Sequence, residues 1–383
     1  MKVKLSEICD VLNGFAFKSQ DYVNSGIRII RITNVKNGYI EDIDPKYYPK
    51  SQESCIKNYL LKEKDILISL TGNVGRVAIL SDQFLPAALN QRVACLRIKK
   101  NIDLDQDYIY YYLNNNIFEQ DCINASKGIA QKNLSTAWLQ NYSIKIPILA
   151  DQKKIVGILD KVTNLIELKK KQLEKMDLFV KSLFIEMFGN PVTNTMNFKY
   201  EKLVNLGYLG RGVSKHRPRN DPKLLGGKYP LIQTGDVAKC DLFIKSYNTT
   251  YSEIGFNQSK IWKSGTLCIT IAGNIAKTGI LKFNSCFPDS IVGFISNNKV
   301  NNIYIHYWFS FFQAILESQA PESAQKNINL KTLSELKVIV PEKKKQDQFA
   351  AFVAQTDKSK LAVEKSLKQL EILKKSLMQQ YFS

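Results

Sequence analysis

The sequence has little of what metal and catalytic sites are usually built from. It contains two histidines, His216 and His306, and seven scattered cysteines without a Cys-x-x-Cys pair. Because a zinc site needs clustered Cys and His ligands, this distribution predicts no metal site and is typical of reduced thiols in a cytoplasm. The first residues, MKVKLSEICD, lack the apolar segment of a signal peptide. No apolar run approaches the ~18 residues of a membrane span, so we expect no membrane-spanning segment.

Recognisable catalytic motifs are missing as well. The chain has no phosphate-binding G-x-x-x-x-G-K-[ST] and no G-x-G-x-x-G after a strand. Neither histidine stands near a serine or cysteine in a triad context. The string nearest to an amino-methyltransferase motif, GNPVTN (189–194), is better interpreted as a helix stop. The missing motifs favour a binding protein over an enzyme.

Acidic residues are few relative to basic ones. The 383 residues include 54 Lys and Arg against 35 Asp and Glu, which gives a net charge of +19. This length suits two to four domains, and the apolar fraction of 44% is ordinary for a globular protein. The charge predicts a polyanionic partner, nucleic acid or an acidic membrane surface. The alternative is a basic surface that has no such partner.

An internal repeat is the strongest feature that the chain does have. QKNLSTAWLQNYSIKIPILADQKKI (131–155) aligns without a gap with QKNINLKTLSELKVIVPEKKKQDQF (325–349), 194 residues further on. Upstream, KEKDILISLTGNVGRVAIL (62–80) resembles WKSGTLCITIAGNIAKTGIL (262–281), and both predict a strand, a Gly-Asn turn and a second strand. The chain is therefore expected to contain two copies of one unit.

Other segments of the two copies match less closely. GIRIIRITNVKNGYI (26–40) and KYPLIQTGDVAKCDLFI (228–244) each predict a strand, a polar turn and a further strand. Next come the strand-like LNQRVACLRI and PDSIVGFISN, and then two aromatic-rich helices, DYIYYYLNNNIFEQ and IYIHYWFSFFQAIL. We interpret the aromatic stripes as core packing rather than as platforms for base stacking.

A long helix is predicted after each copy. Ten positions from 155 to 187, spaced alternately by four and three residues, include nine apolar residues, and the ten positions 194 residues later include seven. This is the pattern of a coiled-coil seam. Gly189 predicts the end of the first helix. The expected fold class is mixed α/β (α+β), with two pseudo-symmetric α/β globules separated by two long, antiparallel coiled-coil spacer helices.

The ordered combination of these segments resembles the specificity (S) subunit of type I restriction–modification systems. NGFAFKSQDYVNSGIRIIRITNVKNG (13–38) looks like the opening of a target recognition domain, and QKNLS…IPILADQKKI looks like the start of a spacer helix. The resemblance covers essentially the whole chain. It implies target recognition domains at 1–150 and 191–342, with spacer helices at 151–190 and 343–383.

Two departures from the family pattern distinguish the copies. Lys345 replaces the acidic residue that Asp151 supplies before the helix-entry glutamine. The second Gly-Asn turn, AGNIA, lacks the glycine that Gly75 supplies in the first turn. We expect the two recognition domains to read different DNA sequences.

The resemblance also implies a mechanism. Each globule would read one half of a gapped, double-stranded DNA target, while the helices act as a ruler and dock two methyltransferase (M) subunits. Those partners would use S-adenosylmethionine to methylate adenine. Restriction or motor (R) subunits would cut unmodified DNA with ATP and magnesium. The chain itself is expected to be a cytoplasmic, non-catalytic subunit that holds no cofactor and has no membrane partner.

Candidate DNA-binding residues follow from side-chain chemistry, since phosphates favour Lys and Arg and base edges favour Arg, Asn and Gln. In the first copy they are Asn73, Arg76, Arg92, Lys127, Gln131 and Lys132. In the second they are Lys215, His216, Arg217, Arg219, Asn274, Lys277, Gln325 and Lys326. The loop RGVSKHRPRN (211–220) is the densest basic cluster. Alternatively, Asn73 and Asn274 serve tight turns. The repeated Gln-Lys pairs suit phosphate contact better than sequence choice, because they recur in copies that are expected to read different bases. Alternatively, Gln131, Lys132 and Asn133 cap the next segment.

Two other functions compete with this interpretation. A DNA methyltransferase or nuclease acting alone is disfavoured by the missing motifs. A coiled-coil scaffold without a DNA role is disfavoured by the charge and by the two large globules.

Overall fold

The structure, a computed structural model, describes residues 2–100, 102–126, 132–273, 275–319 and 328–382. Contacts divide the chain into two compact units: unit 1 is Met1–Lys169 with Ser366–Ser383, and unit 2 is Lys170–Lys365. Among the described helices, none is long and apolar enough to cross a membrane.

Unit 1 combines short strands with helices that follow them. Its strands are β1 (Lys2–Lys4), β2 (Cys9–Asn13), β3 (Ile27–Ile30), β4 (Tyr47–Tyr48), β5 (Ile66–Ser69), β6 (Val77–Ile79), β7 (Ala87–Leu89), β8 (Val93–Ile98) and β9 (Ser143–Lys145). Its helices are α1 (Leu5–Ile8), α2 (Gln106–Leu113), α3 (Asn116–Ala125), α4 (Thr136–Asn141) and the first part of α5 (Leu149–Phe188). Three sheets result, with the strand orders β2-β8-β5-β6, β4-β3-β7 and β1-β9.

Unit 2 repeats this plan. Its strands are β10 (Tyr200–Lys202), β11 (Gly207–Arg211), β12 (Leu225–Leu231), β13 (Phe243–Ile244), β14 (Thr249–Tyr251), β15 (Ile261–Trp262), β16 (Leu267–Thr270), β17 (Thr278–Leu281), β18 (Ser285–Cys286), β19 (Ile291–Ser296) and β20 (Lys337–Ile339). Its helices are α6 (Thr234–Lys239), α7 (Glu253–Asn257), α8 (Asn302–Gln319), α9 (Leu330–Ser334) and the first part of α10 (Lys343–Phe382).

The sheets of unit 2 correspond to those of unit 1 strand by strand. Their orders are β11-β19-β16-β17-β13, β14-β12-β18-β15 and β10-β20, so each of the first two gains one strand. The antiparallel pairs β5–β6 and β16–β17 confirm the two predicted hairpins around the Gly-Asn turns. The mixed α/β class and the internal repeat are thereby confirmed.

The weaker pair of matching segments is only partly as predicted: β3 forms in the first segment, and β12 and β13 form in the second, but neither segment is a strand–turn–strand unit. After β3, the Asn34 side chain accepts the Arg31 N–H and donates to the Glu41 carbonyl, both at 2.9 Å, and such local bonds compete with strand pairing. After β12, the predicted turn is the helix α6. Gln233 and Asp236 cap it reciprocally, which satisfies its first N–H groups.

The aromatic stripes lie in the cores, as predicted. Tyr108 and Tyr112 are buried in unit 1, and Tyr304 and Trp308 are buried in unit 2. The first aromatic segment is split into α2 and α3, whereas its counterpart α8 is continuous. Asn115 causes the split, because its side chain accepts the N–H groups of the first turn of α3.

The two long helices pack together in antiparallel fashion within each unit. In unit 1, Phe382 at the end of α10 contacts Tyr108 and Tyr112, with ring centroids 5.5 and 5.4 Å apart. In unit 2, Phe188 at the end of α5 contacts Tyr304 at 5.0 Å and Phe349 at 5.6 Å. All twenty predicted seam positions are buried or half-buried, which confirms the coiled-coil pattern. Gly189, with a φ of 69°, ends α5.

A buried glutamine ties the start of each long helix to its unit. In unit 1, Gln152 Oε1 accepts the Asp105 N–H at 2.8 Å, and Nε2 donates to the Pro147 carbonyl at 2.9 Å. This glutamine is one of the residues identical in both copies of the repeat. The bonds explain its recurrence, since buried backbone groups need partners.

Gln346 performs the same task in unit 2. Its Oε1 accepts the Asn301 N–H at 3.0 Å, and its Nε2 donates to the carbonyls of Lys299 at 3.1 Å and Pro341 at 2.8 Å. The preceding residue, Lys345, is exposed, so its departure from the acidic family pattern leaves this buried contact intact.

Candidate nucleic-acid interface

Three loops of unit 1 meet at Leu70, the residue after β5. Its N–H donates to the Arg92 carbonyl at 3.0 Å, and its carbonyl accepts the Leu134 N–H at 2.8 Å. Beside it, Gly72 donates to the Lys132 carbonyl at 3.0 Å. We call this meeting point the unit 1 joint, comprising residues 70–76, 90–92 and 132–134. It brings four predicted residues together: Asn73, Arg76, Arg92 and Lys132.

The Gly-Asn turn of the unit 1 joint is organised by Ser69. The Ser69 hydroxyl donates to the Asn73 carbonyl at 2.5 Å and accepts the Arg76 N–H at 3.0 Å. The left-handed backbone positions of the turn are Gly72 and Gly75, not Asn73. The Asn73 side chain is exposed and Arg76 is half-buried, so both remain candidates for DNA contact.

Unit 2 builds the same joint from different residues. The Ile271 N–H donates to the Ser290 carbonyl at 3.0 Å, and its carbonyl accepts the Ile328 N–H at 3.0 Å. Thr270 Oγ1 accepts the Lys277 N–H at 3.0 Å, as Ser69 does for Arg76. We call residues 271–273, 275–277, 288–290 and 328–329 the unit 2 joint. The shared hydrogen bonds place Ser290 at the position of Arg92 in unit 1.

The missing glycine of the second turn is replaced without a change of backbone. Ala276 has a φ of 57°, close to the 80° of Gly75. In unit 1 a β-carbon at Gly75 would lie 2.8 Å from Cys122 Cβ, so only glycine fits beside α3. In unit 2 the methyl group is accommodated, and the left-handed conformation costs about 1 kcal/mol.

Five of the predicted residues, Lys127, Gln131, Asn274, Gln325 and Lys326, lie outside the described residues. Lys277 is half-buried and lines a cavity of about 410 Å³ together with Asp241, His306 and Lys360. Burial lowers the pKa of His306 to about 4, and its Nδ1 lies 2.9 Å from Thr278 Oγ1. Among the described residues, no three His, Cys, Asp or Glu side chains are grouped to hold a metal ion.

The basic loop 211–220 is held by hydrogen bonds from within unit 2. The backbone N–H groups of Lys215 and His216 both donate to Gln258 Oε1, at 2.6 and 2.8 Å. His216 Nε2 lies 3.1 Å from Asp221 Oδ2. The Lys223 N–H and the His216 side chain lower the pKa of Asp221. Lys215 and His216 are exposed, so their side chains can reach a ligand.

Arg217 and Arg219 are exposed but not unpaired. Both lie beside the carboxylate of Asp289, with N–O distances of 3.4 and 2.5 Å, and Arg217 also donates to the Ser214 carbonyl at 2.6 Å. Asp289 directly precedes Ser290 of the unit 2 joint. The basic loop and the joint are therefore one continuous surface.

Sequence reasoning missed Asp289 and treated Arg211 only as a member of the basic run. Arg211 Nε donates to the Asp289 carbonyl at 2.6 Å. A search for positively charged residues does not find an aspartate, and the contact of Asp289 with Arg217 alone spans 72 residues of sequence. No local pattern in the sequence could have revealed them.

Comparison with known proteins identifies the family. The family model for the type I restriction modification DNA specificity domain matches residues 1–177 and 201–372. The MjaX putative specificity subunit of Methanocaldococcus jannaschii is 24% identical, with 98% of this chain and 91% of that protein covered. The Escherichia coli EcoBI specificity subunit is 23% identical, with coverage of 93% and 78%. The M. jannaschii MjaVIII specificity subunit is 29% identical over 51% of this chain, and the match covers about half of that protein, 47%.

Solved structures agree in fold. The S subunit of a type I restriction-modification system from M. genitalium is similar with a TM-score of 0.56 and 14% identity, covering 99% of this chain and 94% of that one. A chain from a study of complex assembly and conformational transition of a type I system gives a TM-score of 0.60 at 14% identity, covering 100% and 97%. With the family model matching both copies of the repeat, the chain belongs to the family of type I restriction–modification DNA specificity subunits, the non-catalytic components of these enzymes.

Proposed function

We propose that each unit reads one half of a gapped, double-stranded DNA target through its joint. The observation that carries this proposal is one backbone frame built twice with different side chains around it. Arg92 in unit 1 stands where unit 2 has Ser290, and unit 2 adds the arginines of the basic loop. A constant frame with variable polar side chains is what two different half-sites require, because base edges are distinguished by side-chain donors and acceptors.

The long helices are proposed to dock two methyltransferase subunits. Leu168, Leu178, Phe179 and Ile372 lie on these helices with more than half of their surface exposed. Exposed apolar side chains of this size favour a protein partner. In this proposal the partners supply S-adenosylmethionine and methylate adenine, and restriction subunits supply ATP- and magnesium-dependent cleavage in the cytoplasm. This chain contributes target choice and holds no cofactor.

Sequencing of methylated adenines in the host genome, with and without this gene, tests the proposal. We expect deletion to abolish methylation at one motif made of two short sequences separated by a fixed gap. Unchanged adenine methylation would contradict the proposed role. Methyl transfer to DNA by the purified chain with S-adenosylmethionine alone would instead support an enzyme.

The purified chain is expected to bind DNA weakly and with strong dependence on salt. Each neutralised phosphate contributes about −0.9 to the slope of log affinity against log salt concentration. Because the chain has a net charge of +19, its DNA-binding surface should neutralise several phosphates at once. Fluorescence anisotropy with a labelled duplex between about 50 and 200 mM salt measures the slope. An affinity that stays flat over this range would exclude the proposed charge-driven contact.

The double substitution R217A/R219A is expected to weaken DNA binding by about 10- to 100-fold, because two charge-assisted contacts are lost. Folding should be retained, since both side chains are exposed and surface ion pairs contribute only about 0–1 kcal/mol. The matched control is K202A/K299A, which removes the same charge from surface ion pairs elsewhere in unit 2.

The test uses duplexes in which one half-site at a time is scrambled. The R217A/R219A loss should disappear when the half-site read by unit 2 is already scrambled. A loss of equal size in the control variant, or unchanged binding by R217A/R219A, would show that the loop does not contact DNA.

A further inference from the structure

Asp289 contacts the three arginines of the basic loop. Arg219 Nη2 lies 2.5 Å from Asp289 Oδ1, and Arg217 Nη2 lies 3.4 Å from Oδ2. Arg211 Nε donates to the backbone carbonyl of the same aspartate at 2.6 Å. A carboxylate in the middle of a DNA-binding surface repels phosphates, so its presence there calls for a function other than affinity.

Arg219 is held by this carboxylate through one nitrogen, Nη2. Asp289 Oδ1 is shielded from solvent, and Arg219 Nη2 is the cationic group that lies against it. Within the described part of the chain, the other two nitrogens of Arg219, Nη1 and Nε, have no hydrogen-bond partner. Its side chain is 43% exposed. The guanidinium is therefore fixed in place through Nη2, while the N–H groups of Nη1 and Nε remain available to a ligand.

The position of Arg219 is also suited to recognition. It lines two neighbouring cavities, of about 430 and 250 Å³, and Ser290 of the unit 2 joint lines both of them. Asn329 adds a polar side chain to the first cavity, and Asn220 adds one to the second. Arg219 therefore lies beside the unit 2 joint, between two cavities that are lined by polar side chains.

Unit 1 has no equivalent of this arrangement at the matching position. The shared hydrogen bonds align Leu89 with Phe287 and Arg92 with Ser290, so Gln91 corresponds to Asp289. A neutral, exposed glutamine in unit 1 replaces the half-buried carboxylate of unit 2. The acidic residue is therefore a feature of one half-site reader and not part of the common frame.

We propose that Asp289 is a positioning residue that presents Arg219 to a guanine in the half-site read by unit 2. The inference rests on the proposed function, in which unit 2 reads DNA. Guanine offers two adjacent acceptors, O6 and N7, in the major groove, and a fixed guanidinium meets both with parallel N–H donors. The negative charge of Asp289 at the same time weakens attraction to phosphates, which carry no sequence information.

The test is the methylation motif that the assembled complex, this chain with its methyltransferase subunits, selects from a randomised duplex library. D289N keeps the size of the side chain but removes the charge that holds Arg219. R219K keeps the positive charge but cannot form two parallel hydrogen bonds. The matched control is E201Q, which removes one negative charge from the exposed ion pair between Glu201 and Lys299 in unit 2.

We expect the wild-type motif to contain a guanine in the second half-site. D289N and R219K should relax discrimination at that base by about 5- to 100-fold, while the first half-site and the E201Q motif stay unchanged. With the purified chain, D289N should bind unrelated DNA more tightly, with a salt slope steeper by about one, because a freed guanidinium neutralises a further phosphate.

Three outcomes would overturn the inference. A second half-site without a G·C pair would remove the proposed ligand. A D289N motif identical to the wild-type motif would show that Asp289 does not position the reading residue, even if R219K alters that motif. Both of these results leave the proposed function standing, whereas a wild-type complex that selects no two-part motif would overturn the proposed function as well.

Discussion

Shortening both long helices by seven residues is expected to shorten the gap in the methylated target by about three base pairs and to leave both half-site sequences unchanged. The rise of an α-helix, about 1.5 Å per residue, makes seven residues about 10 Å. At about 3.4 Å per base pair, this is close to three base pairs of DNA. The expectation rests on the proposal that the helices set the distance between the half-sites.

The deleted segments, 167–173 and 364–370, are chosen to preserve the packing of the helices. They lie equally far along α5 and α10 from the ion pair between Lys360 and Asp177, which fixes the pairing of the helices in unit 2. The seam repeats every seven residues, so removal of one repeat keeps the apolar positions in phase. Removal of four residues from each helix is the control, because it moves the seam out of phase.

The test compares the methylation motifs of complexes that contain the wild-type chain, the seven-residue deletion variant or the four-residue deletion variant. The seven-residue variant should select the shorter gap, or lose methylation altogether if the partner subunits no longer dock. The four-residue variant should lose methylation and unfold more readily. Methylation of the original site at its original spacing by the seven-residue variant would show that the helices are not the ruler.

Replacement of Gln346 by alanine is expected to destabilise unit 2 by about 2 to 4 kcal/mol. Three backbone groups lose their partner: the Asn301 N–H and the carbonyls of Lys299 and Pro341. A buried polar group left without a hydrogen bond costs about 1–3 kcal/mol, and two of these three bonds are only partly buried. The loss is large relative to the ~5–15 kcal/mol by which domains are stable.

Urea unfolding, monitored by tryptophan fluorescence, measures the loss of stability in unit 2. Trp138 lies in unit 1, while Trp262 and Trp308 lie in unit 2, so a W138F background makes the signal specific to unit 2. The control K344A changes an exposed residue of the same helical turn and should alter stability by less than about 0.5 kcal/mol. A Q346A midpoint equal to that of K344A would mean that the glutamine does not anchor the helix.

The two long helices, the hairpins around the Gly-Asn turns and the buried aromatic stripes were predictable because each depends on residues a few positions apart. The seam of α5 shows this directly: apolar residues at steps of three and four fall on one face of any helix. At 228–244 the two predicted strands form as β12 and β13, but the predicted turn between them is the helix α6, because Gln233 and Asp236 form a capping pair. The assignment of individual residues to DNA contact stays a prediction.

The sequence by itself determined that the chain is two copies of one α/β unit, each followed by an amphipathic helix, because periodicity and repetition are properties of order along the chain. Only the tertiary structure determined which residues contact one another at each joint. Leu70, Arg92 and Leu134 are joined by backbone hydrogen bonds that no spacing rule specifies. The pairing of Arg217 and Arg219 with Asp289 likewise joins segments about seventy residues apart. Such contacts depend on how the sheets and loops pack in space, and the local order of residues does not encode them.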